Sequence, residues 1–133
     1  MTNNNQPDHI GDVNKKVDEQ LALDFAREVI GWDGIQHYKY DSEGYYNPVL
    51  VRQPYEEFDY KRVDDVLNAV KEWCDKHNGL FTIEYYNKLG WAVEIKQIID
   101  IGEIRLARIA LQQNLPEALM AATLEAERQR KNG

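Results

Sequence analysis

Residues 80–111 read LFTIEYYNKLGWAVEIKQIIDIGEIRLARIAL, and this stretch determines the architecture predicted for the chain. Apolar and polar side chains alternate in it, first around Phe81 and Ile83 and again around Val93 and Ile95. An apolar period of two residues predicts β-strands with one buried face. The stretch therefore predicts neighbouring strands joined by two short bends.

The first bend is predicted at residues 88–90. A three-residue loop there places Ile83 opposite Ile95, so that the apolar side chains of both strands share one face. Loops of this length end on a residue in the left-handed region, and Gly90 supplies that residue.

The second bend, at residues 100–102, also ends on a glycine. It places Ile95 opposite Ala107, so that the buried face continues onto a third strand. Residues 103–111 also fit the apolar stripe of a helix, which is the competing interpretation. We prefer the strand because its register works without adjustment.

Helices are predicted before and after this stretch in the sequence. Residues 15–30 carry an apolar stripe at helical spacing and stop at Gly31. A second helix is expected to be capped by Asp59 and to run to His77. The third helix follows the capping-box spacing of Asn114 and Glu117 and is expected to run to residue 130.

An aromatic hairpin is predicted between the first two helices. Its strands are residues 35–40 and 45–52, and Pro48 marks an edge or an interruption of the second strand. Residues 53–59 are expected to be a loop. The resulting order is α-β-β-α-β-β-β-α, mostly antiparallel, which is an α+β fold in one domain over residues 13–131 after a disordered tail over residues 1–12.

Composition limits the class of protein. The chain has 133 residues, one cysteine and a net charge of −7. One cysteine excludes an internal disulfide framework, and the acidic balance argues against a nucleic-acid polymer as partner. No apolar run approaches the roughly 20 residues of a membrane span, so we expect a cytosolic protein without a membrane partner.

Motifs that carry known chemistry are absent from the sequence. There is no phosphate-binding glycine loop, no metal-binding pair of histidines on one helix face, and no nucleophile elbow. His9, His37 and His77 are far apart in sequence, and Cys74 lies on a helix stripe where a buried, unreactive thiol is the expected state. We therefore assign no catalytic residue, no metal ligand and no cofactor.

One charged cluster is predicted on the polar face of the sheet. The register of the two bends places Glu84 opposite Glu94 and Glu94 opposite Arg108, with Lys96 and Tyr86 on the same face. A satisfied row of ion pairs is one interpretation. A polar ligand patch is another, and adjacent carboxylates could also support acid–base chemistry.

Aromatic and arginine side chains crowd residues 38–62. Tyrosine faces stack on bases and arginines hold phosphates, although packing beneath a helix is an alternative. Trp32 is expected to anchor the core, with an exposed stacking platform as the alternative. The candidate ligand-binding residues are Trp32, Tyr45, Tyr46, Arg52, Tyr55, Arg62, Tyr86 and Arg108.

Several short motifs resemble the small bacteriophage "ABA sandwich" domain family. They are VIGW at 29–32, the middle helix ending at Trp73, GWAVEI at 90–95, LPEAL at 115–119 and AATL at 121–124. The resemblance covers residues 20–127 and implies an α/β/α sandwich and a phage origin, but it brings no catalytic residues. The polar side chains on one face of the predicted sheet depart from a sheet that is covered on both sides.

The resemblance also frames the expected function. Small acidic phage proteins include ones that counter bacterial immunity. We expect a non-enzymatic phage accessory protein, homo-oligomeric and in the cytoplasm of the infected bacterium, that sequesters a small host nucleotide signal of the cyclic nucleotide or ADP-ribose type. The alternatives are an inhibitor that binds a host protein through its acidic surface, and a nucleotide hydrolase that uses Glu84 and Glu94.

Overall fold

The computed structural model describes residues 17–132, and the predicted tail over residues 1–12 lies outside them. The described part of the chain forms three helices and two three-stranded antiparallel sheets, so the predicted α+β class is confirmed. The elements are α1 (Glu19–Phe25, continued by the π-helical segment Ala26–Ile30), β1 (Gln36–Tyr40), β2 (Tyr46–Arg52), β3 (Glu56–Phe58), α2 (Val63–His77), β4 (Gly79–Tyr86), β5 (Gly90–Ile99), β6 (Gly102–Gln112) and α3 (Leu115–Asn132).

The strand order is β1-β2-β3 in the first sheet and β4-β5-β6 in the second. The element order matches the prediction except for β3, which lies in the segment expected to be a loop. This short strand forms because Phe58 pairs with Leu50 and both side chains are buried in the core. Phe58 thus holds its segment against β2.

Helix α1 begins at Glu19 because Asp18 caps it, and the predicted start at residue 15 lies outside the described residues. The Asp18 carboxylate accepts hydrogen bonds from the backbone N–H groups of Gln20 (2.9 Å) and Leu21 (3.2 Å). The helix ends at Gly31 with a φ of 88°, as predicted. Trp32 then folds back into the core with 7% of its surface exposed, and its predicted role as an anchor is confirmed.

Helix α2 begins later than predicted. Asp59 does not cap it, because the Asp59 carboxylate is engaged by the backbone N–H (3.1 Å) and the ammonium (2.7 Å) of Lys61. The N-cap position is Arg62, which makes no side-chain capping bond. The end at His77 is as predicted, with Asn78 in the left-handed conformation.

The β1–β2 hairpin matches the predicted strands closely. Its turn is held by Asp41, whose carboxylate accepts from the N–H groups of Glu43 and Tyr45 at 2.9 Å each. The register shifts between Tyr38 and Tyr40, where β2 has an extra residue beside Pro48. The predicted interruption at this proline is therefore present.

The β4–β5 register differs from the prediction by two residues. Ile83 pairs with Val93 rather than with Ile95, because the loop is 87–89 and Lys88 takes the positive φ of 65°. A shift of two keeps the apolar side chains on one face, as the alternation requires. Gly90 instead lies in β5, where an added Cβ would come within 2.5 Å of the carbonyl oxygen of Gln112.

Residues 103–111 form the predicted strand and not a helix. Glu94 pairs with Arg108 and Ile95 with Ala107, as the sequence indicates. The bend is shorter than predicted, because Ile99 pairs with Gly102 and Gly102 therefore belongs to β6. An extra β6 residue at Leu106 then restores the predicted pairing of Ile95 with Ala107. A second irregularity opposite Ala92 places two β6 residues against one of β5.

Helix α3 occupies the centre of the fold. It packs against β5, β6, α1 and α2, and Leu119, Met120 and Ala122 are fully buried. The inner face of the second sheet, with Val93 and Ile95, and the Leu50 side of the first sheet join the same core.

Candidate functional site

An open groove lies where the N-terminal ends of α1 and α3 meet the β1–β2 hairpin. Its volume is about 590 Å³, which is within the range of small-molecule sites. It is hereafter the acidic groove, and it is lined by Val17, Asp18, Glu19, Gln20, Lys39, Tyr40, Tyr46 and Glu117.

A short hydrogen bond crosses the groove. The Tyr46 hydroxyl donates to Oε2 of Glu19 at 2.5 Å. This bond lowers the pKa of Glu19, because it stabilises the carboxylate, and raises the pKa of Tyr46 to about 12. At neutral pH the groove therefore holds an ionised Glu19 and a protonated phenol.

One wall of the groove combines an ammonium with aromatic rings. Lys39 Nζ lies 3.6 Å from Oε1 of Glu19, in a largely exposed ion pair. The Tyr40 ring packs edge-on against Tyr46, with centroids 5.7 Å apart and an interplanar angle of 74°. The edge-to-face contact fixes the orientation of Tyr46 relative to the groove.

The two helix ends are joined at the base of the groove. Oε2 of Glu117 accepts from the backbone N–H of Asp18 at 3.0 Å, and Asn114 Oδ1 accepts from the N–H of Glu117 at 3.1 Å. The predicted capping spacing of Asn114 and Glu117 thus positions a carboxylate that reaches the first helix. The charged groups of the groove are the carboxylates of Asp18, Glu19 and Glu117 and the ammonium of Lys39.

This arrangement favours a cation over an anion. Three carboxylates against one ammonium give the groove a negative potential, and the face of a tyrosine ring attracts a guanidinium or ammonium. An incoming phosphate would meet the same carboxylates and be repelled.

The outer face of the second sheet carries a row of ion pairs. Arg105 Nε lies 2.5 Å from Oε2 of Glu94, and Lys96 lies 3.9 Å from Glu94 and 3.4 Å from Glu103. Arg108 faces Glu94 in the register, but its ion pair is with another acid, Glu84 (3.5 Å). The predicted row of charges is present with different partners.

The predicted pairing of Glu84 with Glu94 is wrong. Glu84 pairs with Ala92 and Glu94 with Thr82, because a displacement of the bend by one residue shifts the pairing by two. The two acids are therefore diagonal neighbours, and each has its own cationic partner. The close carboxylate pair on which the hydrolase alternative depended is not formed.

Tyr86 and Arg108 are brought together, as the candidate site required. A terminal nitrogen of Arg108 lies 3.5 Å from the Tyr86 hydroxyl, which donates to Glu84 at 3.2 Å. All three side chains are at least partly open to solvent.

Trp32 and Arg52 also meet, at the edge of the core. The guanidinium carbon of Arg52 lies 4.9 Å from the Trp32 ring centroid, and its Nε donates to Glu56 at 2.7 Å. The buried tryptophan and the paired arginine form a structural contact, in which the arginine is already held on two sides.

The remaining candidates lie apart from one another. Tyr45 and Tyr55 expose about two thirds of their surface, at 68% and 66%. The Tyr55 hydroxyl donates to Glu57 at 3.0 Å, and Arg62 lies 3.7 Å from Asp64. The eight candidates are thus distributed over several surfaces, and only Tyr46 among them lines the acidic groove.

Sequence reasoning missed most of the groove. The sequence pattern places Glu19 and Glu117 in the first turns of helices and Tyr40 in the aromatic hairpin, and it assigns no role to Lys39. Glu117 lies 99 residues from Asp18, whose backbone N–H it binds. The sequence does show two helices with acidic first turns and an aromatic hairpin. It does not indicate that these three elements lie next to one another.

Cys74 and His37 have structural surroundings. Cys74 is buried, as predicted, and burial raises the pKa of its thiol to about 11. His37 Nε2 lies 2.9 Å from the hydroxyl of the buried Tyr60, and burial lowers the pKa of His37.

Among residues 17–132, no three histidine, cysteine or acidic side chains are grouped to hold a metal ion. Over the same residues, no helix combines the length and apolar character needed to cross a membrane. Comparisons with protein families, with curated proteins and with solved structures found no match.

Proposed function

We propose that the protein is a non-enzymatic binding protein whose acidic groove holds a positively charged segment of a partner protein. The observation that carries this proposal is the ionised Glu19, fixed by Tyr46 in an open groove with two further carboxylates. A lysine or arginine side chain from the partner would lie against the exposed side of the Tyr40–Tyr46 ring pair and replace or join Lys39 beside Glu19.

The whole-chain charge supports the same kind of partner. A net charge of −7 attracts a basic surface over a range of about 8–10 Å at physiological salt. Long-range attraction raises the association rate, and the groove then supplies the specific contact. A partner with a basic functional surface would be blocked by such an occupant.

The resemblance to small phage proteins suggests what kind of protein the partner is. A phage accessory protein that covers a basic surface of a bacterial defence protein would inhibit it without any chemistry. Binding to a host protein in the cytoplasm of the infected cell is therefore the function that we favour.

Calorimetric titration with a hexapeptide of alternating glycine and arginine tests the proposal. We expect saturable binding that weakens with salt, and the matched glycine–glutamate hexapeptide should not bind. Glu19→Gln should weaken binding roughly tenfold, because one charge-assisted contact is lost. Glu103→Gln, which removes an exposed acid outside the groove, is the control. Equal affinity for both variants would contradict the proposal.

A second candidate is sequestration of a small nucleotide signal, which Tyr86 and Arg108 favour. They lie side by side on the outer face of the second sheet, with the guanidinium 3.5 Å from the phenol oxygen. A guanidinium beside a tyrosine ring can hold a phosphate and stack a base. The pair of Arg108 with Glu84, at 3.5 Å, would have to open for the phosphate.

A nucleotide panel separates the two candidates. Cyclic nucleotides and ADP-ribose derivatives should bind the wild-type protein and lose affinity in Arg108→Gln, whereas Arg62→Gln should bind normally. Ultraviolet-absorbing material released by the denatured protein would support this candidate. A panel without any binding would remove it and leave the cationic-segment proposal untouched.

A further inference from the structure

The two edges of the second sheet are built differently. Strand β6 is one edge, and it is interrupted twice, at Leu106 and opposite Ala92. It also carries three charged side chains, Glu103, Arg105 and Arg108. Bulges and charges on an edge strand prevent it from pairing with another strand.

Strand β4, the opposite edge, has none of these interruptions. Its eight residues, GLFTIEYY, pair with β5 in one continuous register from Gly79 to Tyr86. Its single charge is Glu84, and the rest are mostly aromatic or β-branched residues that favour strands. Among residues 17–132, no strand pairs with its outer side. An edge of this kind is a template for another strand.

We propose that β4 pairs antiparallel with β4 of a second copy of the chain, around a two-fold axis at Ile83. The two sheets would then join into one six-stranded sheet. This inference does not rest on the acidic groove, which β4 does not line.

The sequence of β4 selects this register. With Ile83 opposite its own copy, Phe81 faces Tyr85 on the apolar side of the sheet. On the other side Thr82 faces Glu84, and Leu80 faces Tyr86. Every residue from 80 to 86 has a partner, aromatic and aliphatic side chains meet, and no like charges are opposed.

Neighbouring registers are worse. A two-fold axis at Glu84 would place that carboxylate opposite its own copy, which is repulsive. An axis at Thr82 would leave Tyr86 opposite Asn78, which lies in the left-handed turn after α2 and outside the strand. A shift by one residue would oppose the polar face of one strand to the apolar face of the other.

Disulfide trapping reads the register directly. An equimolar mixture of Thr82→Cys and Glu84→Cys proteins should form a mixed disulfide dimer under mild oxidation, because the two positions are opposite. Thr82→Cys alone should not, since its copies would be about 8 Å apart, beyond the reach of a disulfide. The native Cys74 should not take part in disulfide formation, because it is buried and the pKa of its thiol is raised.

Sedimentation velocity of the full chain gives the second readout. The wild-type protein should be a dimer. In Thr82→Asp the new carboxylate of each copy faces Glu84 of the other copy, so two pairs of like charges are opposed. This variant should weaken the dimer roughly three- to tenfold, whereas Thr82→Lys should retain it. Circular dichroism and the unfolding midpoint check that each variant is folded. A monomer at all concentrations, or a dimer without the mixed disulfide, would overturn the proposal.

Discussion

Tyr46 and Glu19 form the contact on which the acidic groove depends. The phenol donates to the carboxylate at 2.5 Å, and half of the Tyr46 surface is exposed. In a groove that is open to water, one bond of this kind contributes little to folding but strongly orients the carboxylate. The residue is thus better placed to shape a binding surface than to hold the fold together.

Replacing Tyr46 by phenylalanine tests this contact. The carboxylate loses its donor, so the pKa of Glu19 should rise toward 4.5. The free energy of unfolding should fall by about 0.5–1 kcal/mol, the range for a partly exposed bond. The pKa is measured by NMR titration of the Glu19 side chain. Tyr45→Phe is the control, and an unmoved Glu19 pKa in Tyr46→Phe would show that the bond is not formed.

Glu127 is the opposite case, a carboxylate that holds the core. Its side chain is 5% exposed and accepts from Trp73 Nε1 at 2.9 Å and from Arg130 Nε at 3.1 Å. Glu127→Gln removes the charge that both donors face and should cost about 1–3 kcal/mol in urea unfolding. Glu125→Gln, on the exposed side of the same helix, should cost less than about 0.5 kcal/mol. Similar losses for the two variants would contradict the role of Glu127.

His37 makes stability depend on pH in a defined direction. Burial lowers the pKa of His37 below its ordinary value of 6.5, so the unfolded chain binds the proton more tightly. The free energy of unfolding should therefore be constant just above pH 6.5 and fall as the pH drops below it, until the folded pKa is passed. His77, whose pKa is lowered by burial, adds to the same slope.

The His37→Gln variant measures this contribution. Chemical unfolding at several values between pH 5 and 8 should show a shallower decline for the variant than for the wild-type protein, because one of the two histidines no longer titrates. An unchanged slope would mean that His37 is not responsible.

At the scale of elements, two glycines of the second sheet make a matched pair. Gly90 and Gly102 both have positive φ, 121° and 138°. A Cβ on Gly90 would lie 2.5 Å from the carbonyl oxygen of Gln112, whereas one on Gly102 would meet nothing within 4 Å. The two positions therefore share the backbone strain and differ in the steric clash.

The alanine variants should separate the two effects. Gly102→Ala should lose about 1–2 kcal/mol of unfolding free energy from the strained backbone alone. Gly90→Ala should lose clearly more, since β6 must also move away. Urea denaturation measures both. A smaller loss for Gly90→Ala would contradict the close approach of β5 to the end of β6.

The same sheet shows what the sequence could and could not predict. Alternation around Ile83 and Ile95 identifies the strands and their buried face. It does not determine the pairing, because a shift of two residues leaves every side chain on its own face. The position of the bend decides it: the loop contains Lys88 with a φ of 65°, and Gly90 keeps its predicted positive φ of 121° but lies in β5.

The start of α3 was predictable from its local cap, since Asn114 Oδ1 accepts from the N–H of Glu117. The starts of the other two helices were not, because Asp18 caps α1 later than the apolar stripe indicates and Asp59 is engaged by Lys61 and cannot cap α2. The acidic groove was beyond reach, since it needs two helix ends and a hairpin to meet, and Glu117 binds a residue 99 positions away. Local patterns predict elements, while the contacts between elements decide the site.

For the molecule as a whole, charge and surface point to binding. The chain carries a net charge of −7, yet the arginines on the outer face of the second sheet and beside Trp32 are matched by nearby glutamates. The acidic groove is where carboxylates outnumber cations in an open space of about 590 Å³. The proposed basic segment of a partner protein would satisfy that imbalance.

The most direct measurement is NMR mapping of the glycine–arginine hexapeptide on the isotope-labelled protein. The account predicts that amide shifts cluster at residues 18–20, 39–40, 46 and 117, and that Glu19→Gln requires roughly tenfold more peptide to reach the same shifts. Shifts confined to the outer face of the second sheet, or no shifts at all under low salt, would contradict the assignment of the acidic groove as the binding site.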